Sequence, residues 1–338
     1  MVSTLNRKAR VLEAVRGGAL DRPPASFWGH VYHRESSAAD LADATLEWRD
    51  RHDWDFVKLN PRASYHGEVW GLSFRYSGVP DEKPKREHYP VRTVADWWSV
   101  SERDVTAPPL AEQLDAIRQV RRGLPNDVLL VQTVFSPLSI AADLAEGPAA
   151  VREHLQEDEA AVLAAVRNIA STFRTYVRAA LDAGADGIFF ATVDWATRDL
   201  LTPDEHARLA RPTDLEVLGA AAGATFNLVH VCRPRNLLLE LADYPAHGFS
   251  WDATDPTNPG LRQGLAGFDA AAVGGIGYGA ELTDPSPEAA LAELRAGFEA
   301  TGGRRWIVAP GCSIPPGSRL ETLAALRAAI ESEVHTES

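Results

Sequence analysis

The chain has 338 residues, of which 45% are hydrophobic and 24% charged, with a formal net charge of −13. This composition fits a globular protein of one large or two ordinary domains and excludes a disordered or fibrous chain. The acidic balance argues against a nucleic-acid partner, whose phosphates require a basic face, and no apolar run approaches the ~20 residues of a membrane helix.

The opening stretch "NRKARVLEAVRGG" is amphipathic and lacks the apolar core and cleavage site of a signal peptide, so residues 1–24 are expected to form a helix and a lead-in. With two cysteines in all, a reducing cytoplasmic setting is expected rather than a disulfide framework. Short apolar runs follow at 25–31, 55–60, 128–135, 186–193, 225–232, 248–253, 271–279 and 305–311. Several are apolar on both faces and rich in Val, Ile and Phe, as buried parallel strands are. Helical patterns separate most of them, among them 37–52, 108–122 and 156–183. Thr202-Pro203-Asp204-Glu205 has the form of a capping box with Pro at the first helical position. Eight such units predict a single-domain (β/α)8 TIM barrel spanning 1–338. A dinucleotide fingerprint is absent, because "AVGGIGYG" lacks the required spacing. Residues 62–107 are too long for an ordinary connection. They are expected to be a hairpin or lid inserted after the second strand, or else a structural excursion at the barrel edge.

The chemistry concentrates in "FNLVHVC" (226–232) and "IVAPGCSIPP" (307–316). Alternate strand residues share a face, about 6.5–7 Å apart, so His230 and Cys232 project together at the C-terminal end of their strand. That is the end where barrel enzymes keep their active sites, and Cys312 also follows a strand. One imidazole and two thiolates suit Zn²⁺ and leave a fourth position open. By this count the strands are the fifth and eighth, which are not ring neighbours, so either Cys312 leans over the mouth from a loop bent by Pro310-Gly311 and Pro315-Pro316, or the count is off by one. Spacing alone leaves other readings open: buried core residues, a disulfide, or a structural ion.

Other residues at strand ends are candidates to shape the pocket: Asn60, Gln132, Asp194, Trp251, Asp252 and Tyr278, with His33 near the entrance. Asp252 is placed to be a displaceable fourth ligand or an acceptor for the His230 N–H, or else to cap the next helix. His30 and His66 are further entrance candidates. Trp28, Trp195 and Trp251 either face a flat ligand or pack in the core.

The stretches "NRKARVLEAVRGGALDRPP", "GADGIFFATVDW", "HVC" and "APGCSIPPGSRLETLAALRAA" occur in an order that resembles the uroporphyrinogen decarboxylase superfamily over nearly the whole chain. The His-x-Cys…Gly-Cys pattern resembles its zinc-dependent branch, the methylcobamide:thiol methyltransferases. The resemblance implies a (β/α)8 barrel with zinc held by His230, Cys232 and Cys312. It also implies a reaction in which a small-molecule thiol, activated as zinc-bound thiolate, accepts a methyl group from a corrinoid or similar carrier. No corrinoid-binding D-x-H-x-x-G segment occurs, so a corrinoid would arrive on a partner protein or free. The decarboxylases of the superfamily carry an Arg-rich loop where this chain reads "PASFWGHVYHRESS", with Arg34 the one cationic Arg or Lys. A lyase acting on a polycarboxylate is therefore the alternative, together with another zinc-dependent C–S or C–N reaction on the same scaffold. The sequence leaves the oligomeric state open.

Overall fold

A computed structural model describes residues 4–332. Seven strands form one parallel sheet in the order β1 (Phe56–Leu59), β4 (Leu129–Phe135), β5 (Gly187–Ala191), β6 (Leu228–His230), β7 (Gly248–Ser250), β8 (Ala271–Ile276) and β9 (Trp306–Pro310). Two more, β2 (Ser73–Arg75) and β3 (Lys85–His88), pair antiparallel as a separate ribbon.

The sequence predicts an eighth parallel strand at 25–31. The structure instead gives that segment only isolated bridges, Ala25 to Val308 and Gly29 to Ile314. On its other side the Asp55 amide donates to the Ala25 carbonyl, and Ser26 Oγ donates to the Phe56 carbonyl at 2.8 Å. Pro23-Pro24 ahead of the segment withhold two backbone donors, which explains why bridges replace a full ladder. The segment still spans the gap between β9 and β1, as the closing strand of a TIM-like barrel does.

Side chains sort by strand parity. Phe56, Leu129, Val131, Phe189, Ala191, Leu228, Val273, Ile307 and Ala309 form one buried cluster inside the curl of the sheet. Their alternates, including Val57, Leu130, Val134, Ile188 and Val229, join a larger cluster under the helices. Each fully buried Leu, Ile or Phe contributes roughly 1.5–3 kcal/mol.

The helices fall close to their sequence signals. Ala38–His52 starts at Ser37, whose side chain accepts from the Asp40 amide. Thr202 and Glu205 form the expected capping box at Pro203–Leu209. The opening helix covers Arg7–Arg16, and the long central helix covers Glu159–Asp182, preceded by a separate helix at Pro148–Glu157. Beyond β1, residues 62–107 hold a short helix (Tyr65–Glu68), the β2–β3 ribbon and a 3₁₀ turn (Val94–Ser99). Among the described residues no helix is long and apolar enough to cross a membrane.

Candidate metal centre

His230 ends β6 in the same parity as Leu228, so its ring turns into the barrel. It stacks on Phe189, with ring centroids 5.2 Å apart. Its Nδ1 lies 3.0 Å from Ser250 Oγ on the neighbouring strand β7. Its Nε2 is buried and has no hydrogen-bond partner. The ring is thus fixed at one nitrogen with the other left available.

Cys232 follows two residues later. Cys312 reaches the same point from the loop after β9. One ligand atom from each of His230, Cys232 and Cys312 lies within 4.8 Å of the others. The expected lean of the last loop has a local cause. The Gly311 amide donates to the Ile276 carbonyl, and a Cβ on Gly311 would stand 2.9 Å from Asp252, so only glycine lets the loop pass so close to the end of β7. The Ile314 amide then donates to the Trp28 carbonyl and ties the loop to the closing segment.

Both cysteines are free. The hydrogen bond from Cys232 holds Cys312 well below the usual thiol range, with help from His230, while the same contact and burial push Cys232 up. An orphaned imidazole nitrogen and two thiols this close fit a soft divalent ion such as Zn²⁺, leaving a fourth position free.

The remaining candidates divide. Asn60 continues the inward parity of Phe56, at the end of β1. Tyr278 is raised by burial and then by the charges of Cys312, Asp252 and Cys232, which puts it at the mouth. Asp194 ion-pairs with Arg233, at 2.5 Å from Nε, directly beside Cys232. Asp252 shares the inward parity of Ser250, but one carboxylate oxygen accepts from the amide and hydroxyl of Thr254 at 3.0 and 2.7 Å. It is Ser250, not Asp252, that contacts the second ring nitrogen of His230, because Ser250 lies opposite His230 in the β6–β7 register.

Gln132 and Trp251 do not join the site. Gln132 alternates with the inward Val131 and donates to the Tyr176 hydroxyl at 3.0 Å under the long helix. Trp251 alternates with Ser250, is fully buried against Phe268 and donates to the Pro259 carbonyl at 2.6 Å. Trp195 is likewise fully buried. His33 is exposed, with Pro80 O 3.4 Å from its Nδ1. His30 pairs with buried Glu35 at 2.8 Å, and His66 with Asp143 at 2.7 Å. Arg34, the cation of the entrance loop, is taken by Glu47 at 2.6 Å.

Two inward residues escaped the sequence reading, Ser250 and Lys58. Lys58 sits two places after Phe56 and is buried. Its ammonium packs over Phe189 at 4.6 Å and Trp28 at 5.6 Å and donates to Asn60 Oδ1. Burial pulls its pKa down to about 7 against the opposing charges of Cys312, Cys232 and Glu35. The signal was present, since a charged residue inside the apolar run "DFVKLN" is costly unless used. Lys58 and Asn60 also line a cavity of about 440 Å³ that extends between the closing segment and the helix at 38–52; His230, Cys232 and Cys312 do not line it.

The uroporphyrinogen decarboxylase (URO-D) family profile matches residues 6–333, and the chain belongs to that family. Among its relatives is a methylcobamide:CoM methyltransferase MtaA of Methanosarcina barkeri (strain Fusaro / DSM 804), 24% identical over 97% of this chain and 98% of its own length. That similarity places the chain near the family's methyltransferase branch. A solved methyltransferase from Methanosarcina mazei shares the fold, with a TM-score of 0.80 and 21% identity over 97% of this chain and 99% of its own. A B12-independent methionine synthase from Shewanella sp. W3-18-1, solved in complex with selenomethionine, also shares it, with a TM-score of 0.59 and 12% identity over 93% of this chain and 97% of its own.

Proposed function

We propose that this protein is a zinc-dependent methyltransferase whose acceptor is a small thiol and whose donor is a methylated corrinoid or similar carrier. The observation that carries the reading is the meeting of His230, Cys232 and Cys312 within 4.8 Å, with His230 Nε2 buried and unpartnered. A zinc ion there supplies a means of keeping a thiol deprotonated at neutral pH, where a free thiol with a pKa near 8.5 is mostly protonated. Two cysteine donors keep such a sulfur electron-rich, whereas water-activating sites more often use three His, or two His and a carboxylate.

The chain's own residues then hold and orient. His230, set by Ser250, and the two cysteines would form the metal seat, with Asp252 at its edge. Asn60, Asp194 and Tyr278 border the substrate. The segment 62–107, with its ribbon, acts as a lid over the mouth of one barrel domain. The thiol proton leaves to solvent. The sulfur–carbon bond forms as the carrier–methyl bond breaks, and that electron pair stays on the carrier. The mouth must admit the carrier from outside, free or on a partner protein. Both cysteines must stay reduced, which suits a cytoplasmic setting.

The decarboxylase alternative finds little support at the entrance, since a polycarboxylate needs unpaired arginines and Arg34 is held by Glu47. Zinc-edge X-ray absorption tests the proposal. The loaded protein is expected to show one zinc per chain with two sulfur neighbours, rising to three, at about 2.3 Å, when a thiol such as 2-mercaptoethanesulfonate or homocysteine is added. A sulfur count that stays at two across a broad thiol panel sinks the methyltransferase reading in favour of another zinc-dependent reaction.

A further inference from the structure

We propose that Lys58 is the counter-ion of the substrate's sulfur, a positioning residue that balances the negative charge a thiol brings to the His230–Cys232–Cys312 centre. The inference rests on the thiol reading above. It starts from a charge count. A divalent ion held by two thiolates and a neutral imidazole is neutral, so a third thiolate makes the assembly an anion. Inside a barrel an anion needs a cation close by.

Arg233 and Lys58 both carry charge to the cysteines. Arg233 is 55% exposed and committed to Asp194. Lys58 is buried, and among the described residues no carboxylate pairs with it. Its contacts are the Asn60 carbonyl and the faces of Phe189 and Trp28. Aromatic faces attract a cation without neutralising it. The same Phe189 ring carries His230, so ammonium and metal seat share one platform.

The other charged groups around this point do not complete the pair. Glu35 is buried nearby, but its Oε1 already accepts from the Val31 amide and faces His30 Nδ1, both at 2.8 Å. Asp252 is turned to Thr254, and Tyr278 is a neutral phenol whose ionisation burial opposes. A buried ammonium without its anion, sharing the Phe189 ring with a centre that turns anionic on binding, fits a partner that arrives with the substrate.

The test uses zinc-loaded protein and 2-mercaptoethanol, whose tail is uncharged, with the dissociation constant followed by calorimetry from pH 6 to 9. In Lys58→Met the constant is expected to rise about tenfold at pH 7, and the pH midpoint of binding to move up by about one unit, as loss of a nearby opposite charge dictates. Zinc content should stay at one per chain. Lys58→Gln should show the same loss and decides the matter should the Met variant fold poorly. Unchanged binding and midpoint in both variants overturn the inference, as does loss of zinc in both, which would make Lys58 a structural residue. An effect confined to 2-mercaptoethanesulfonate also overturns it, since Lys58 would then grip the tail. Failure of the wild-type protein to bind any thiol removes the thiol reading itself, and this inference with it.

Discussion

A single hydroxyl decides how the histidine presents itself. Ser250 Oγ sits 3.0 Å from His230 Nδ1, which leaves Nε2 toward the cysteines. Such outer contacts typically carry 10- to 100-fold in metal affinity. Ser250→Ala is therefore expected to weaken zinc binding at least about tenfold, measured by competition with a chromophoric chelator, while the melting temperature of the metal-free protein barely moves. Cys312→Ser should do worse, because it removes a soft donor. Equal zinc affinity in wild type and Ser250→Ala would mean that stacking on Phe189 alone orients the ring. The His-x-Cys pair was legible in the sequence because strand periodicity puts both residues on one face. Ser250 was not, because the face of one strand does not reveal its neighbour's register. Trp251 and Asp252 cannot both face the site, since adjacent strand residues point to opposite sides.

The strands and helices were more legible than the segment between β1 and β4. Continuous apolar runs and Ser37 and Thr202 caps locate most elements, whereas 62–107 has no period to follow. Its ribbon is anchored through Arg86 on β3, which bridges to Asp143 and lies over the Phe74 and Tyr89 rings. Asp143 also pairs with buried His66. Arg86→Ala should free the ribbon without unfolding the barrel. Limited proteolysis is expected to cut the turn at 77–83 several-fold faster, while global stability drops by no more than about 1 kcal/mol, the scale of a partly exposed ion pair. Unchanged cleavage would show that the ribbon's position does not depend on this bridge. The closing segment 25–31 illustrates the opposite limit. Its apolar pattern is that of a strand, but two preceding prolines and the short run of available donors reduce it to bridges, a backbone effect that hydrophobic pattern does not record.

Across the whole molecule, buried carboxyl groups set opposing dependences on pH. Asp55 and Asp21, ion-paired with Arg10 and Arg22 near the opening helix, are held below the usual carboxylate range despite burial. Their stabilisation is present above about pH 4 and is lost as pH falls further. Asp214 behaves in the other direction. It is fully buried on the helix Arg211–Gly219, accepts from the Tyr244 hydroxyl at 3.0 Å, and leaves its second oxygen without a partner. Burial raises it to about 7. Because the folded-state pKa lies above the unfolded one, the folded protein prefers the protonated acid. That contribution is complete below about pH 4 and disappears as pH rises through 7. Glu293, also raised to about 7 mainly by burial, adds a loss of the same sign. Buried His52 and His206, both lowered to about 4, oppose these losses, since they add stability as pH rises from about 4 to 6.5. Asp214 alone can account for a loss on the order of 4 kcal/mol at most. Urea unfolding of the wild type and of Asp214→Asn at pH 5 and pH 8 separates the parts. The amide is neutral at both values, so from pH 5 to pH 8 the stability of the variant should change more favourably than that of the wild type, by a few kcal/mol, while Glu293, His52 and His206 act alike in both. Equal changes in the two proteins would mean that Asp214 is already ionised in the folded state, compensated by a charge or a solvent path at its second oxygen.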